Sequence, residues 1–276
     1  MSRLSAAAFR TLLAAALLAL AACSHTPLSA PAAAPVAMAP AGQPPASAIY
    51  IGNSFFYYNN GITTHMARLV AEGLPGFRHR HTMVTISGSG ADWHDVESYL
   101  RPNAIGKYSF TSDNKVVFNK LDRLFDVAVM MDCSQCPVHP QLKTVFTESM
   151  RKNSEIVRRH GARPVFFMSW AYKDVPSMTQ GLADAYTAAA RENRAQVIPA
   201  GLAFARSVAL KPELELYAAD KRHPSVAGSY LAACTTYATL FGKSPVGLSY
   251  AAGLDPAVAR HLQAVAWETV QAYRQP

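Results

Sequence analysis

The chain has 276 residues, 50% of them apolar and 16% charged, and a formal net charge of +8. Three tryptophans and twelve tyrosines fit a globular protein with a packed core. The basic balance would suit a nucleic acid or an anionic surface. However, no long Lys/Arg run and no recognition motif occurs, so the basic charge reads as a diffuse surface property and no nucleic-acid partner is expected.

Arg3 and Arg10 supply a basic start, and Thr11 to Ala22 is an apolar stretch too short to span a bilayer comfortably. Residues 1–22 therefore read as a signal peptide. The stretch runs into Leu20-Ala21-Ala22-Cys23, which resembles the bacterial lipobox, in which the cysteine is diacylated and becomes the mature N-terminus. That resemblance implies lipidation at Cys23 and attachment to the bacterial cell envelope rather than spanning of a membrane. Ser24, where Asp would retain a lipoprotein at the inner membrane, implies the outer membrane, on its periplasmic side or surface. A plain cleavable signal with a chance cysteine is the alternative. Losing Arg3 and Arg10 lowers the formal charge from +8 to +6. Ser24 to Ser47 is rich in Ala and Pro and contains no Asp, Glu, Lys or Arg. With Cys23 it forms a segment, 23–47, that cannot bury a core and reads as a semi-rigid tether. Residues 48–276 are enough for one sizeable domain.

Ala48 to Gly52 reads as a short, wholly apolar strand ending on Asn53 and Ser54. Ile62, Met66, Leu69 and Val70 have helical spacing, which predicts a helix over Gly61 to Gly73 with Asn59 or Asn60 as its cap. His81 to Ser87 predicts a second strand, followed by "GSG" and a helix over Asp92 to Leu100. Arg101 to Asn119 is turn-rich, with a hairpin around "TSDNK". Phe125 to Asp132 is the third strand and Gln141 to His160 a long amphipathic helix ended by Gly161. Arg163 to Trp170 is the fourth strand, Thr179 to Arg194 a helix, and Ala195 to Gly201 the fifth strand. Pro224 to Phe241 predicts a helix with Pro at its first position, and Pro256 to Tyr273 a closing one. Strands alternate with helices and are apolar throughout, as expected of a parallel sheet covered on both faces. The expected fold class is α/β, three-layer, with about five strands and ligands at their carboxyl ends.

With Cys23 lipidated, Cys133, Cys136 and Cys234 remain, which allows one disulfide and one free thiol. "CSQC" at Cys133 to Cys136 has redox-motif spacing but lacks a thioredoxin context. There is no second ligand pair for zinc, so no metal is expected. Cys234, in an apolar helical stretch, reads as a small core residue.

Ser54, just after the first strand, is a candidate nucleophile. A serine needs a base within hydrogen-bond reach, a group to orient that base, and donors for the oxyanion. His223 and Asp220, three positions apart in "DKRH", are the candidate base and orienter, and Pro224 restricts the residue before it. "IGNS" at the front, Gly88 in "ISGSG" after the second strand, and "DKRH" near the end give the chain its resemblance to the SGNH (GDSL-type) hydrolases. The match spans essentially the whole domain and is closest to a divergent branch with "GNSF" at the front. The resemblance implies the flavodoxin-like fold of that family. It also implies Ser54 as nucleophile, His223 as base and then acid, Asp220 as orienter, and the N–H groups of Ser54 and Gly88 in the oxyanion hole. No cofactor is implied.

Two positions depart from the pattern. Asn53 replaces the usual Asp beside the serine. The Asn expected after the third strand is missing, and "MMDCSQCP" leaves Ser134 or Gln135 as candidate donors. Phe55, Tyr57, His94 and Trp170 are candidate substrate contacts on the ligand side, with packing over the first helix as the alternative for Phe55 and Tyr57 and a helix-surface position as the alternative for His94. His65 reads as helical surface. No G-x-S-x-G nucleophile elbow occurs. These features point to an envelope-anchored serine esterase acting on a small-molecule or glycan ester, with a small acyl group such as acetyl removed from carbohydrate. The rival is a non-catalytic binding lipoprotein on the same fold.

Overall fold

A computed structural model of the chain describes residues 43–101, 108–118 and 123–274. The expected signal peptide, Cys23 and most of the tether lie outside them. The first strand, β1 (Ser47–Gly52), begins one residue before the expected domain. Then follow α1 (Ser54–Tyr57), α2 (Ile62–Gly73), β2 (Arg80–Thr85), α3 (Val96–Leu100), β3 (Tyr108–Phe110), β4 (Val116–Phe118) and β5 (Val127–Met130). The rest of the chain forms α4 (Lys143–Arg159), β6 (Arg163–Phe167), α5 (Met178–Glu192), β7 (Gln196–Ile198), α6 (Ala200–Leu210), α7 (Val226–Phe241) and α8 (Pro256–Arg274). Among the described residues, no helix is long and apolar enough to cross a membrane.

Five strands form a parallel sheet in the order β2-β1-β5-β6-β7, with Ile51 beside Val84 on one side and Met130 on the other. The chain starts at β1, steps outward to β2, then crosses back to β5 and continues. The direction of winding reverses between β1 and β5, and a doubly wound sheet opens its ligand crevice at the carboxyl ends of two such strands. β3 and β4 form a separate antiparallel hairpin around the predicted turn.

Strand side chains alternate between two cores. Tyr50, Val129 and Phe167 face α2, α6, α7 and α8, whereas Ile51, Met130 and Phe166 face α3, α4 and α5. Two covered faces explain why the strands read as continuous apolar runs. α7 packs against α2, α6, α8 and β7 and is buried from Ala227 to Phe241, so its sequence is apolar on every side.

Three local expectations change. The predicted helix over Asp92 to Leu100 divides into a single 3-10 turn (Ala91–Trp93) and α3. His94 sits extended between them because its ring is drawn to the Gly52 carbonyl, and Asp95 caps the second piece through the Ser98 N–H. Pro224 is not the first residue of α7. Ser225 caps that helix through the Gly228 N–H, and Pro224 lies before the cap. Neither Asn59 nor Asn60 caps α2. Both adopt left-handed backbone, which Asn tolerates better than most residues, and Gly61 stands at the cap. α6 carries no strong sequence signature of its own and was not expected.

Candidate active site

β1 stops at Gly52 because the chain must pass close beneath its neighbours. A methyl group there would fall 2.5 Å from Met131 Cγ and 2.9 Å from the Phe56 ring. Asn53 then caps the single turn of α1, its Oδ1 accepting from the Phe55 N–H at 3.2 Å. Its Nδ2 donates to the Ser89 carbonyl at 3.0 Å and to the Asp132 carbonyl at 3.2 Å. One buried amide thus joins the loops that follow β1, β2 and β5. Two donated bonds to carbonyls suit an amide and not a carboxylate, which accounts for Asn in place of Asp.

Ser54 follows, 7% exposed. His223 Nε2 lies 2.7 Å from its Oγ. On the other side of the ring, Nδ1 is hydrogen-bonded to Asp220 Oδ2. The hydrogen bond from His223 lowers the Asp220 pKa to about 2, so its carboxylate is charged at any ordinary pH. A charged acceptor holds the proton on Nδ1 and leaves Nε2 as the acceptor for the Ser54 hydroxyl. The geometry is set by a tight loop. Asp220 Oδ1 accepts from the N–H groups of Arg222 and His223, both at 3.0 Å, while Ala218 N–H donates to the His223 carbonyl at 2.8 Å. Lys221 takes a left-handed φ of 63° within the turn.

Aromatic rings support this loop from below. Phe204 stacks on Trp170 at 4.1 Å and Trp170 on Phe55 at 4.5 Å, and Phe55 meets the His223 ring edge-on at 5.6 Å. The indole N–H of Trp170 donates to the Arg222 carbonyl at 2.9 Å. Tyr58 stacks flat on the imidazole at 4.0 Å. Asn59 Nδ2 donates to the Pro224 carbonyl and to Ser229 Oγ, both at 2.8 Å, which ties α1 to the start of α7.

The expected substrate contacts fare unequally. Trp170 is 0% exposed and Phe55 is buried, so both belong to the support beneath His223 and not to a substrate wall. His94 is likewise buried, its Nε2 3.0 Å from the Gly52 carbonyl and 3.0 Å from Ser89 Oγ. Burial pushes its pKa down, and it braces the end of β1. Tyr57 is exposed and bonds Ser87 Oγ at 3.0 Å, on the ligand side. His65 is buried between the Tyr250 hydroxyl and the Asn59 carbonyl rather than on a surface.

Gly88 is exposed with φ 72°, in a turn closed by the Ser89 N–H to the Ile86 carbonyl, and a Cβ on it would meet nothing within 4 Å. A positive φ at this turn position favours glycine. After β5, Cys133 and Cys136 form a disulfide that encloses Ser134 and Gln135. Ser134 Oγ lies 2.7 Å from the Tyr172 hydroxyl, and Gln135 is exposed. Cys234 is a buried free thiol whose pKa burial pushes up. A cavity of about 300 Å³ is lined by Tyr172, Phe204, Val208, Glu215 and Tyr217, and neither Ser54 nor His223 is on its wall. Tyr172 and Arg222 were not singled out from sequence, and Asn59 was read only as a helix cap. The strand-end rule that selects Trp170 also covers Tyr172, two residues on, and would have found it.

No family model and no curated protein sequence matches the chain. Solved structures do. A DUF4886 family protein from Bacteroides uniformis superposes with a TM-score of 0.57 at 17% identity, covering 83% of this chain and 96% of that one. A protein from Slackia heliotrinireducens described as a candidate SGNH hydrolase gives 0.52 at 23%, covering 70% and 98%. A catalytic variant of the acetylxylan esterase Axe2 from Geobacillus stearothermophilus gives 0.52 at 14%, covering 70% and 93%. The fold is that of the SGNH hydrolases, a three-layer α/β/α arrangement on a five-stranded parallel sheet.

Asn53→Asp sets a carboxylate against two carbonyl oxygens and should cost about 3 kcal/mol of stability, read by urea denaturation. Stability equal to wild type would show that the amide bridge does not matter. Asp132 is buried, and burial, with a contribution from Asp92, raises its pKa from 3.8 to about 6. The native state thus holds this proton more tightly than the unfolded chain, and the associated stability is lost as pH rises from about 4 through 6. Asp132 Oδ1 accepts from the N–H groups of Ala91 and Cys133, which an amide oxygen can replace. Asp132→Asn should match wild type near pH 4 and exceed it at pH 7.5 by about 1–3 kcal/mol. An unchanged pH dependence would refute the assignment.

Proposed function

We propose that the chain is a serine ester hydrolase in which Ser54 is the nucleophile, His223 the general base and Asp220 the group that orients it. The observation that carries this reading is the hydrogen-bonded chain Ser54–His223–Asp220 at the carboxyl end of β1, where the winding of the sheet reverses. Ser54 Oγ attacks the ester carbonyl as its proton passes to His223 Nε2. The N–H groups of Ser54 and Gly88 donate to the oxyanion that forms. The imidazolium, stabilised by Asp220, returns the proton to the leaving alcohol. Water, deprotonated by the same Nε2, then releases the acid from the acyl-enzyme. Tyr58 and the edge of Phe55 hold the ring in plane throughout.

The substrate we favour is a small acyl ester, acetyl above all, on a carbohydrate or related alcohol. The solved catalytic variants of the acetylxylan esterase Axe2 alter a serine, an aspartate and a histidine, the last two three positions apart, as Asp220 and His223 are. The lipobox-like Cys23 supports an envelope location with the domain held off the membrane by the Ala/Pro-rich segment.

A non-catalytic binding protein on the same fold is the second reading, favoured by the missing Asn after β5. A fluorophosphonate probe separates the two. Wild type should label and Ser54→Ala should not, while His223→Gln should slow labelling by at least about 100-fold. A folded wild-type protein that never labels would contradict the hydrolase reading.

A further inference from the structure

Resting on that hydrolase reading, we propose that the Ser134 hydroxyl is the third oxyanion donor and that Tyr172 is the residue that positions it. The loop after β5 lacks an asparagine, and the two polar candidates there differ in how they are held. Gln135 is exposed at the start of a 3-10 turn, where fixing its long side chain costs rotamer entropy. Ser134 is half-buried, and its surroundings fix it from three directions. The disulfide between Cys133 and Cys136 closes a short ring around it. Ser169 Oγ donates to its carbonyl at 3.4 Å, and the Tyr172 hydroxyl is 2.7 Å from its Oγ.

The contacts around it close into a circuit. Ser54 bonds His223, whose neighbour Arg222 lies over the Tyr172 ring at 4.8 Å from its centroid. Tyr172 bonds Ser134. Two residues earlier, the Asp132 carbonyl is held by the amide of Asn53, the residue before Ser54. Every link is a direct contact or a peptide step, so the loop that carries Ser134 is tied to both flanks of Ser54, to His223 through Tyr172 and Arg222 and to Asn53 through Asp132.

Chemistry sets the direction of the bond between the two hydroxyls. A phenol is more acidic than an alkanol, so Tyr172 O–H is the better donor and Ser134 Oγ the acceptor. The cation over the phenol ring strengthens that polarity. Ser134, having accepted, turns its own proton outward and donates it more strongly, because hydrogen bonds in a chain polarise one another. The result is a relay, Tyr172 to Ser134 to oxyanion, whose last bond strengthens as negative charge develops on the carbonyl oxygen. Tyr172 touches no reacting atom and acts only through Ser134.

Steady-state hydrolysis of p-nitrophenyl acetate by wild type, Tyr172→Phe, Ser134→Ala and the double variant tests this. Ser134→Ala should lower kcat about 100-fold and Tyr172→Phe about 10-fold, both with KM nearly unchanged, because the donors act in the transition state. The double variant should fall no further than Ser134→Ala, since Tyr172 has no route except through it. Each variant should still take up a fluorophosphonate on Ser54 at long times, which reads the folded site independently. Unchanged kcat in Ser134→Ala, additive losses in the double variant, or a rise in KM at constant kcat would each overturn the relay. In those cases turnover that still depends on Ser54 leaves the hydrolase reading intact. Wild-type protein without Ser54-dependent turnover would overturn both.

Discussion

One buried side-chain amide fixes the geometry on which the rest of the site depends. Asn53 accepts the N–H of Phe55 and donates to the carbonyls of Ser89 and Asp132. The three loops that meet at this point follow β1, β2 and β5, and they carry Ser54, Gly88 and Ser134. A parallel sheet aligns its strand ends but leaves the loops beyond them free to diverge. Here a residue with two donors and an acceptor converts three loop ends into one rigid surface. Buried polar groups of this kind are costly when unsatisfied, and full pairing makes the arrangement specific.

The proposed base reaches this surface by a different route. His223 comes from the far end of the chain, on a turn whose backbone donates to Asp220 and whose Arg222 carbonyl accepts from the Trp170 indole. Phe204, Trp170 and Phe55 stack into a rigid support under the imidazole, and Tyr58 covers its other side. Aromatic surface next to the serine therefore has a mechanical role. It holds the imidazole and its carboxylate within hydrogen-bond reach of a side chain 169 positions away in sequence.

Much of this was legible from the chain alone. Apolar runs without alternation identified strands buried on both faces, and "IGNS" with "DKRH" selected the two ends of the site. Strand order was not legible, because nothing in an apolar run says which neighbour it pairs with. The misreadings share a cause. Phe55 and Trp170 follow closely on strand ends, where a ligand-facing and a core-facing side chain look alike in sequence, and only tertiary packing decides between them. The break at His94 arises from a hydrogen bond to Gly52, 42 residues earlier, which no local helical pattern encodes. Tyr172 escaped notice because its significance lies in its partner, Ser134, on another loop.

The account's central claim is that the hydroxyl held 2.7 Å from His223 Nε2 forms a covalent bond to the acyl group it removes. Rapid acid quenching of the protein with p-nitrophenyl acetate, followed by peptide mapping by mass spectrometry, tests this directly. An acetyl group should appear on Ser54 with the first release of p-nitrophenol, and should form more slowly but persist when His223 is replaced by a residue that cannot activate water. Release of p-nitrophenol with no acetyl group on Ser54 in either protein, or with the group on another side chain, would contradict it.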